Sequence, residues 1–138
     1  VQNNRIKKSP IGKYFEDIII SEEVGFQKPN PEIFEYALRR FNGIDKNKFL
    51  MIGDSLTSDI KGGINFGIDT CWFNPKNLIN ETGLKPTYEI SKITEIKNIL
   101  AWNALYNAKC KIAEDFQPTE NLHFKKGLFL ALLYLLLN

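Results

Sequence analysis

The sequence predicts an α/β fold built on a parallel sheet, and three observations carry that prediction. Residues 48–74, KFLMIGDSLTSDIKGGINFGIDTCWFN, read as a buried apolar strand, a Gly53-Asp54 turn, a helix starting near Leu56 or Thr57, and a second strand from Ile68 to Phe73. A second short β-branched run, Asp17-Ile18-Ile19-Ile20, is followed by a loop and a helix signal, repeating the strand-then-helix order. The composition agrees with a folded core: 43% of the 138 residues are hydrophobic and 25% are charged, as in ordinary globular proteins.

Taken in order, residues 1–13 are polar and basic, with Val1 and Ile6 the only apolar points before Pro10; they fit the end of a helix that Pro10 stops. Tyr14–Ser21 is expected to be a buried parallel strand, and residues 21–29 the loop at its carboxyl end. Asn30-Pro31-Glu32 has the form of a helix start, with an Asn cap, Pro at the first helical position and an acid in the first turn. Ile33, Phe34, Ala37, Leu38 and Phe41 fall on one face of that helix, and Gly43 is placed to end it. After the central unit, Pro75–Pro86 is a polar loop, Thr87–Ile90 a short strand, and Ser91 the cap of a helix running to about Leu100. Residues 1–100 form one organised region, and residues 101–138 differ from it in character. The latter end in the run LFLALLYLLL, too short for a bilayer, which needs roughly 20 apolar residues. Two readings of that run stand open: a buried docking helix, and an artefactual or read-through tail.

Charge and cysteine usage exclude several classes. With 18 basic and 16 acidic residues interspersed, the net charge is +2, which gives no electrostatic footprint for nucleic acid. Cys71 and Cys110 lie far apart, outside any metal-ligand spacing, so a structural zinc or disulfide framework is not expected and a reducing cytoplasm is the default. Basic residues near the start are not followed by the apolar run of a signal peptide. The chain opens on Val1 instead of Met, and is expected to be incomplete or processed.

The residues that carry chemistry cluster around the central strand. Ligands in open parallel sheets bind outside the carboxyl ends of the strands, so Asp54, directly after an apolar strand, is expected to face the crevice. Asp59 follows in the first turn of the helix, where backbone N–H groups favour a carboxylate. Two oxygen-only side chains at one strand end suit a hard cation such as Mg²⁺. Asp54 alone could be a turn residue or cap, Ser55 and Thr57 plain helix caps, and Lys28 a solvated loop lysine. Lys28 nevertheless sits between a strand end and a Pro-started helix, as a site residue would. Cys71 belongs to the core, and His123 receives no role.

The stretches SEEVGFQKPNPEIF and MIGDSLTSDIKGGINFGIDTCWFNP together strongly resemble the haloacid dehalogenase (HAD) superfamily of phosphohydrolases, over about residues 1–100. The resemblance implies a Rossmann-like three-layer α/β/α core with a parallel sheet. It implies Lys28 as the catalytic lysine that balances charge on an aspartyl nucleophile and the substrate phosphate. It also implies Asp54 as the Mg²⁺-binding acid, with Asp59 as the nearby supporting acid of the same metal site. Within the superfamily, the two stretches look most like the bacterial 5′-nucleotidases acting on pyrimidine nucleoside monophosphates. Gly53-Asp54-Ser55, where the dehalogenating branch carries a Ser-Asn type sequence, favours phosphate esters over carbon–halogen bonds. The chemistry fits these residue types: nucleophile and phosphate are both negative, so a cation and a lysine must neutralise the approach.

The same resemblance calls for an N-terminal Asp-x-Asp motif with the nucleophile, and a later Ser or Thr on the phosphate. No Asp-x-Asp occurs in the chain. The expectation is therefore the carboxyl-terminal half of such an enzyme, with the N-terminal part and the helical cap domain missing. The intact protein would hydrolyse small phosphate monoesters through an aspartyl-phosphate, while this chain alone would not turn over. The rival reading is a non-catalytic remnant or a metal- and phosphate-binding module. A receiver-type phosphoacceptor is disfavoured because its lysine follows the acceptor Asp, whereas Lys28 precedes Asp54. A half-sheet would leave an edge and an apolar face open to association.

Overall fold

The computed structural model of the chain describes residues 17–41 and 45–100, with the backbone of residues 130–132. Four strands form one parallel sheet: β1 (Phe49–Gly53), β2 (Asp69–Phe73), β3 (Tyr88–Ile90) and β4 (Leu130–Leu132), in the order β3-β2-β1-β4. The helices are a single turn α1 (Ser21–Val24), the longer α2 (Pro31–Arg40), α3 (Lys61–Phe66) and a helical segment at 96–100. β1 has β2 on one side and β4 on the other, so it is one of the two inner strands of the described sheet.

The alternation along β1 divides the core into two layers. Phe49 and Met51 pack with Ile19, Ile33, Phe34, Ala37 and Ile68, the side on which α2 lies. Leu50 and Ile52 pack with Cys71 and Ile90 on the opposite face, where Ile96 and Ile99 close over them. All five β1 residues are buried, as a strand covered on both faces requires. Full burial of a side chain such as Met51 or Ile52 contributes about 1.5–3 kcal/mol. The arrangement is the expected Rossmann-like α/β/α sandwich of helix, sheet and helix.

Two glycines let α3 approach closely. A Cβ on Gly63 would lie 2.5 Å from Thr70 Cγ2 and 3.0 Å from Met51 Cβ, so this residue meets the sheet. A Cβ on Gly62 would lie 2.7 Å from the Phe34 ring and 3.1 Å from Pro29 Cα, so Gly62 meets α2 and the loop before it. The Phe34 ring is itself stacked on Phe66 at 5.5 Å between centroids.

Several local expectations are corrected. Residues 17–20 are extended and bury Ile19, but they carry no ladder to the sheet among the described residues. A strand exists through its partner, and sequence pattern alone does not supply one. Asp17 is instead ion-paired with Arg40 at the end of α2. The expected loop after Ser21 contains the α1 turn, ended by Gly25 in the left-handed conformation at φ 79°. The segment at 96–100 is preceded by a 3₁₀ turn, Ile93–Glu95, in which Glu95 accepts from both Ser91 Oγ and the Lys92 N–H, so the helix begins later than a Ser91 cap implies. The described part of the apolar run is a strand, β4, not a helix; an apolar segment without polar positions has no periodicity to separate the two. Gly43, Cys110 and His123 lie outside the described residues.

Candidate functional site

β1 delivers its last residue, Gly53, to the carboxyl edge of the sheet, and Asp54 follows it with an exposed side chain. The chain then caps a helix: Ser55 is extended, and its Oγ accepts from the Ser58 N–H at 3.2 Å. The first turn, Leu56–Ile60, is a wide π turn that runs on into α3. Such turns re-aim a side chain by inserting one extra residue. Here Asp59 is turned inward, with 1% of its surface exposed.

A buried carboxylate needs partners, and Asp59 has two. Its Oδ2 accepts from the Ser55 N–H at 3.1 Å, and its Oδ1 meets Lys28 Nζ at 2.6 Å. Oδ1 receives no directed hydrogen bond among the described residues, so the Lys28 contact acts as an ion pair. Gly53 makes room for this arrangement, because a Cβ there would overlap the Asp59 side chain, coming 2.6 Å from its Cγ.

Lys28 arrives from the loop between α1 and α2. The loop is held by the Asn30 N–H donating to Gln27 O at 2.9 Å, and α2 is capped by Asn30 Oδ1, which accepts from the Glu32 N–H at 3.2 Å. The Lys28–Pro29 peptide is cis. Only 8% of the Lys28 side chain is exposed, against 2% for Asp59, so the pair is nearly dry. Removing either partner from such a pair would strand a charge in a poorly solvated place.

The three residues singled out in the sequence thus converge on one turn. Lys28 and Asp59 are in contact, and Asp59 in turn holds the peptide that follows Asp54. The donor set that faces outward is the single carboxylate of Asp54; among the described residues no group of three or more His, Cys, Asp or Glu side chains surrounds a common point. Mg²⁺ is commonly held by one or two carboxylates with several waters, so the oxygen donors fit it as part of a site. Among the described residues Asp59 has both oxygens engaged inside the protein, unlike Asp54.

Two features were not evident beforehand. Trp72 on β2 donates its indole Nε1–H to the main-chain oxygen of Asp54 at 3.0 Å. Leu78 and Ile79 stand 60% and 85% exposed on the loop after β2, at the same end of the parallel sheet as Asp54. The Trp in TCWF reads as one more apolar strand residue, and a loop expected to be polar gives no warning of its apolar pair. Cys71 is confirmed as core: burial, with Glu95 adding to it, pushes its thiol up to about 11, so it stays neutral. No described helix is long and apolar enough to cross a membrane.

A parallel sheet covered on both faces, with an acid and a buried lysine at the strand ends, defines an α/β protein of the open-sheet kind, in which ligands bind outside the carboxyl ends of the strands. The haloacid dehalogenase-like hydrolase model matches residues 1–73. The pyrimidine 5′-nucleotidase YjjG of Escherichia coli is 41% identical over 100 residues, covering 72% of this chain and 44% of that protein. The pyrimidine 5′-nucleotidase PynA of Streptococcus pneumoniae is 43% identical over 105 residues, covering 76% of this chain and 44% of the relative. A crystal structure of YfnB of Bacillus subtilis bound to magnesium superposes with a TM-score of 0.67 at 46% identity, over 71% of this chain and 43% of that one. The chain belongs to the haloacid dehalogenase-like hydrolase family. It spans less than half the length of these relatives.

Proposed function

We propose that this chain supplies the metal and phosphate side of a Mg²⁺-dependent phosphate monoesterase, with nucleoside monophosphates as the substrate class. The observation that carries the reading is the Lys28–Asp59 ion pair, 2.6 Å long, set directly beneath the Asp54 turn. Asp54 is the metal ligand in this reading. Asp59 supports the metal site by orienting Lys28 and the turn, and Lys28 faces the phosphate. Mg²⁺, when bound, supplies positive charge to the transferring phosphoryl group. Lys28 adds a cation already fixed in place, so little reorganisation is needed as charge develops. Transfer requires a nucleophile that the 138 residues do not offer as an Asp-x-Asp motif. The similarity to two pyrimidine 5′-nucleotidases supports the substrate class. A cytoplasmic setting belongs to the same reading, as does the division into a core region, residues 1–100, and an atypical tail, residues 101–138, of which residues 130–132 pair with β1.

The absent motif also favours a second reading, a module that binds metal and phosphate without turnover. Phosphate release from UMP and dUMP, measured with Mg²⁺ and with EDTA, tests both on this chain and on the native polypeptide. The expected result is Mg²⁺-dependent release by a native polypeptide that carries the motif, and none by this chain alone. Release by this chain alone would overturn the assignment of the nucleophile. A native polypeptide that binds Mg²⁺ and inorganic phosphate but releases nothing would establish the second reading.

A further inference from the structure

The carbonyl of Asp54 and the N–H of Ser55 are the two ends of one peptide group, and both are held by side chains. Trp72 Nε1–H donates to the carbonyl at 3.0 Å, and Asp59 Oδ2 accepts from the N–H at 3.1 Å. Both are ordinary lengths for N–H···O bonds. The two clamps come from different elements, β2 and the π turn before α3, and both side chains are buried, at 3% for Trp72 and 1% for Asp59. Sheet pairing adds a third constraint, since Gly53 and Trp72 are register partners across β1 and β2.

A peptide free at one end can turn about the line joining its two Cα atoms, and the main-chain torsions on either side of it, ψ of Asp54 and φ of Ser55, are then free to drift and carry the turn with them. Clamped at both ends, this peptide cannot rotate without breaking a buried hydrogen bond, and a buried indole N–H left without an acceptor is costly. We infer that Trp72 is a positioning residue for Asp54. Its indole, acting opposite Asp59, fixes the 54–55 peptide so that the main chain from which the exposed Asp54 carboxylate projects is held in place for the cation. The inference rests on the reading of Asp54 as the Mg²⁺ ligand. Partners that orient a ligand in this way typically contribute about 10- to 100-fold to metal affinity.

The test is a Mg²⁺ titration of the ¹⁵N-labelled full chain followed by NMR, comparing the unaltered protein with Trp72→Phe and Asp54→Asn. Trp72→Phe keeps a buried ring and removes only the donor, and the indole signal it deletes assigns Trp72. In the unaltered protein the Trp72 indole and Ser55 amide signals should shift together with one midpoint. Trp72→Phe, read on the Ser55 amide, should weaken binding at least about 10-fold, and Asp54→Asn should abolish it. If Asp54→Asn abolishes binding while a folded Trp72→Phe binds as before, the inference about Trp72 falls and the metal reading stands. If Asp54→Asn binds unchanged, the metal reading falls and takes the inference with it; if the unaltered chain does not bind, the inference about Trp72 falls, and the metal reading is decided by the phosphate-release assay on the native polypeptide. Should Trp72→Phe not fold, the indole of the unaltered protein decides: a signal unmoved at Mg²⁺ saturation overturns the proposal.

Discussion

Removing the Lys28 charge while keeping most of its stem, as in Lys28→Met, leaves the Asp59 carboxylate buried with only the Ser55 N–H to hold it. Loss of one partner of a buried pair costs about 3–5 kcal/mol, whereas removing both charges is far milder. Urea unfolding should therefore show Lys28→Met less stable by about 3 kcal/mol, with much of the loss recovered in Lys28→Met/Asp59→Asn. An unchanged midpoint for the single variant would mean that water reaches Asp59, contrary to its burial. This contact was not legible in the sequence. Asp54 was, because an acid directly after an apolar run marks a strand end, and Lys28 was picked out by its loop and Pro-started helix. That Lys28 reaches Asp59, and that Trp72 reaches Asp54, depends on how distant segments pack. Local spacing does not encode it.

The contact between α2 and α3 governs where the Lys28 loop lies, and Gly62 is its closest point. Alanine is favoured over glycine inside a helix by about 1 kcal/mol, so helix propensity alone predicts that Gly62→Ala stabilises the protein. The added methyl would lie 2.7 Å from the Phe34 ring, which is 3% exposed and stacked on Phe66, and 3.1 Å from Pro29 Cα. Overpacking of that kind costs about 1–3 kcal/mol, enough to cancel or exceed the propensity gain. Gly62→Ala should lower the urea midpoint and shift the NMR signals of residues 27–30, which adjoin the clash. A higher midpoint would show that the loop gives way freely. The α2 start was readable from Asn30-Pro31-Glu32, since capping is local chemistry. Residues 17–20 misled because their β-branched pattern reports extended backbone and burial, while a strand also needs a neighbour.

At the scale of the whole molecule, the inner position of β1 in the sheet depends on the chain's far end. β1 pairs in parallel with Leu130–Leu132 through the register Phe49↔Leu130, Leu50↔Ala131 and Met51↔Leu132. Without β4 the strand that carries Asp54 becomes an edge, with a row of unpaired main-chain groups beside an apolar surface, a ready template for another chain. In a parallel sheet successive residues direct their main-chain groups to opposite neighbours, so deletion of residues 127–138 should have a patterned effect. Amides of β1 that face β4 should lose hydrogen-exchange protection, while those bonded to β2 keep theirs. Light scattering after size exclusion should show the shortened chain at a larger mass than the undeleted chain at equal concentration. Unchanged mass with uniform protection would mean that the 130–132 pairing contributes nothing to the sheet. The sequence carried the apolar character of this run but not its conformation, because ten residues without a polar position fit a buried helix and a buried strand alike. For residues 130–132 the available edge of β1 resolves that ambiguity: main-chain groups there need partners, and a helix cannot supply them.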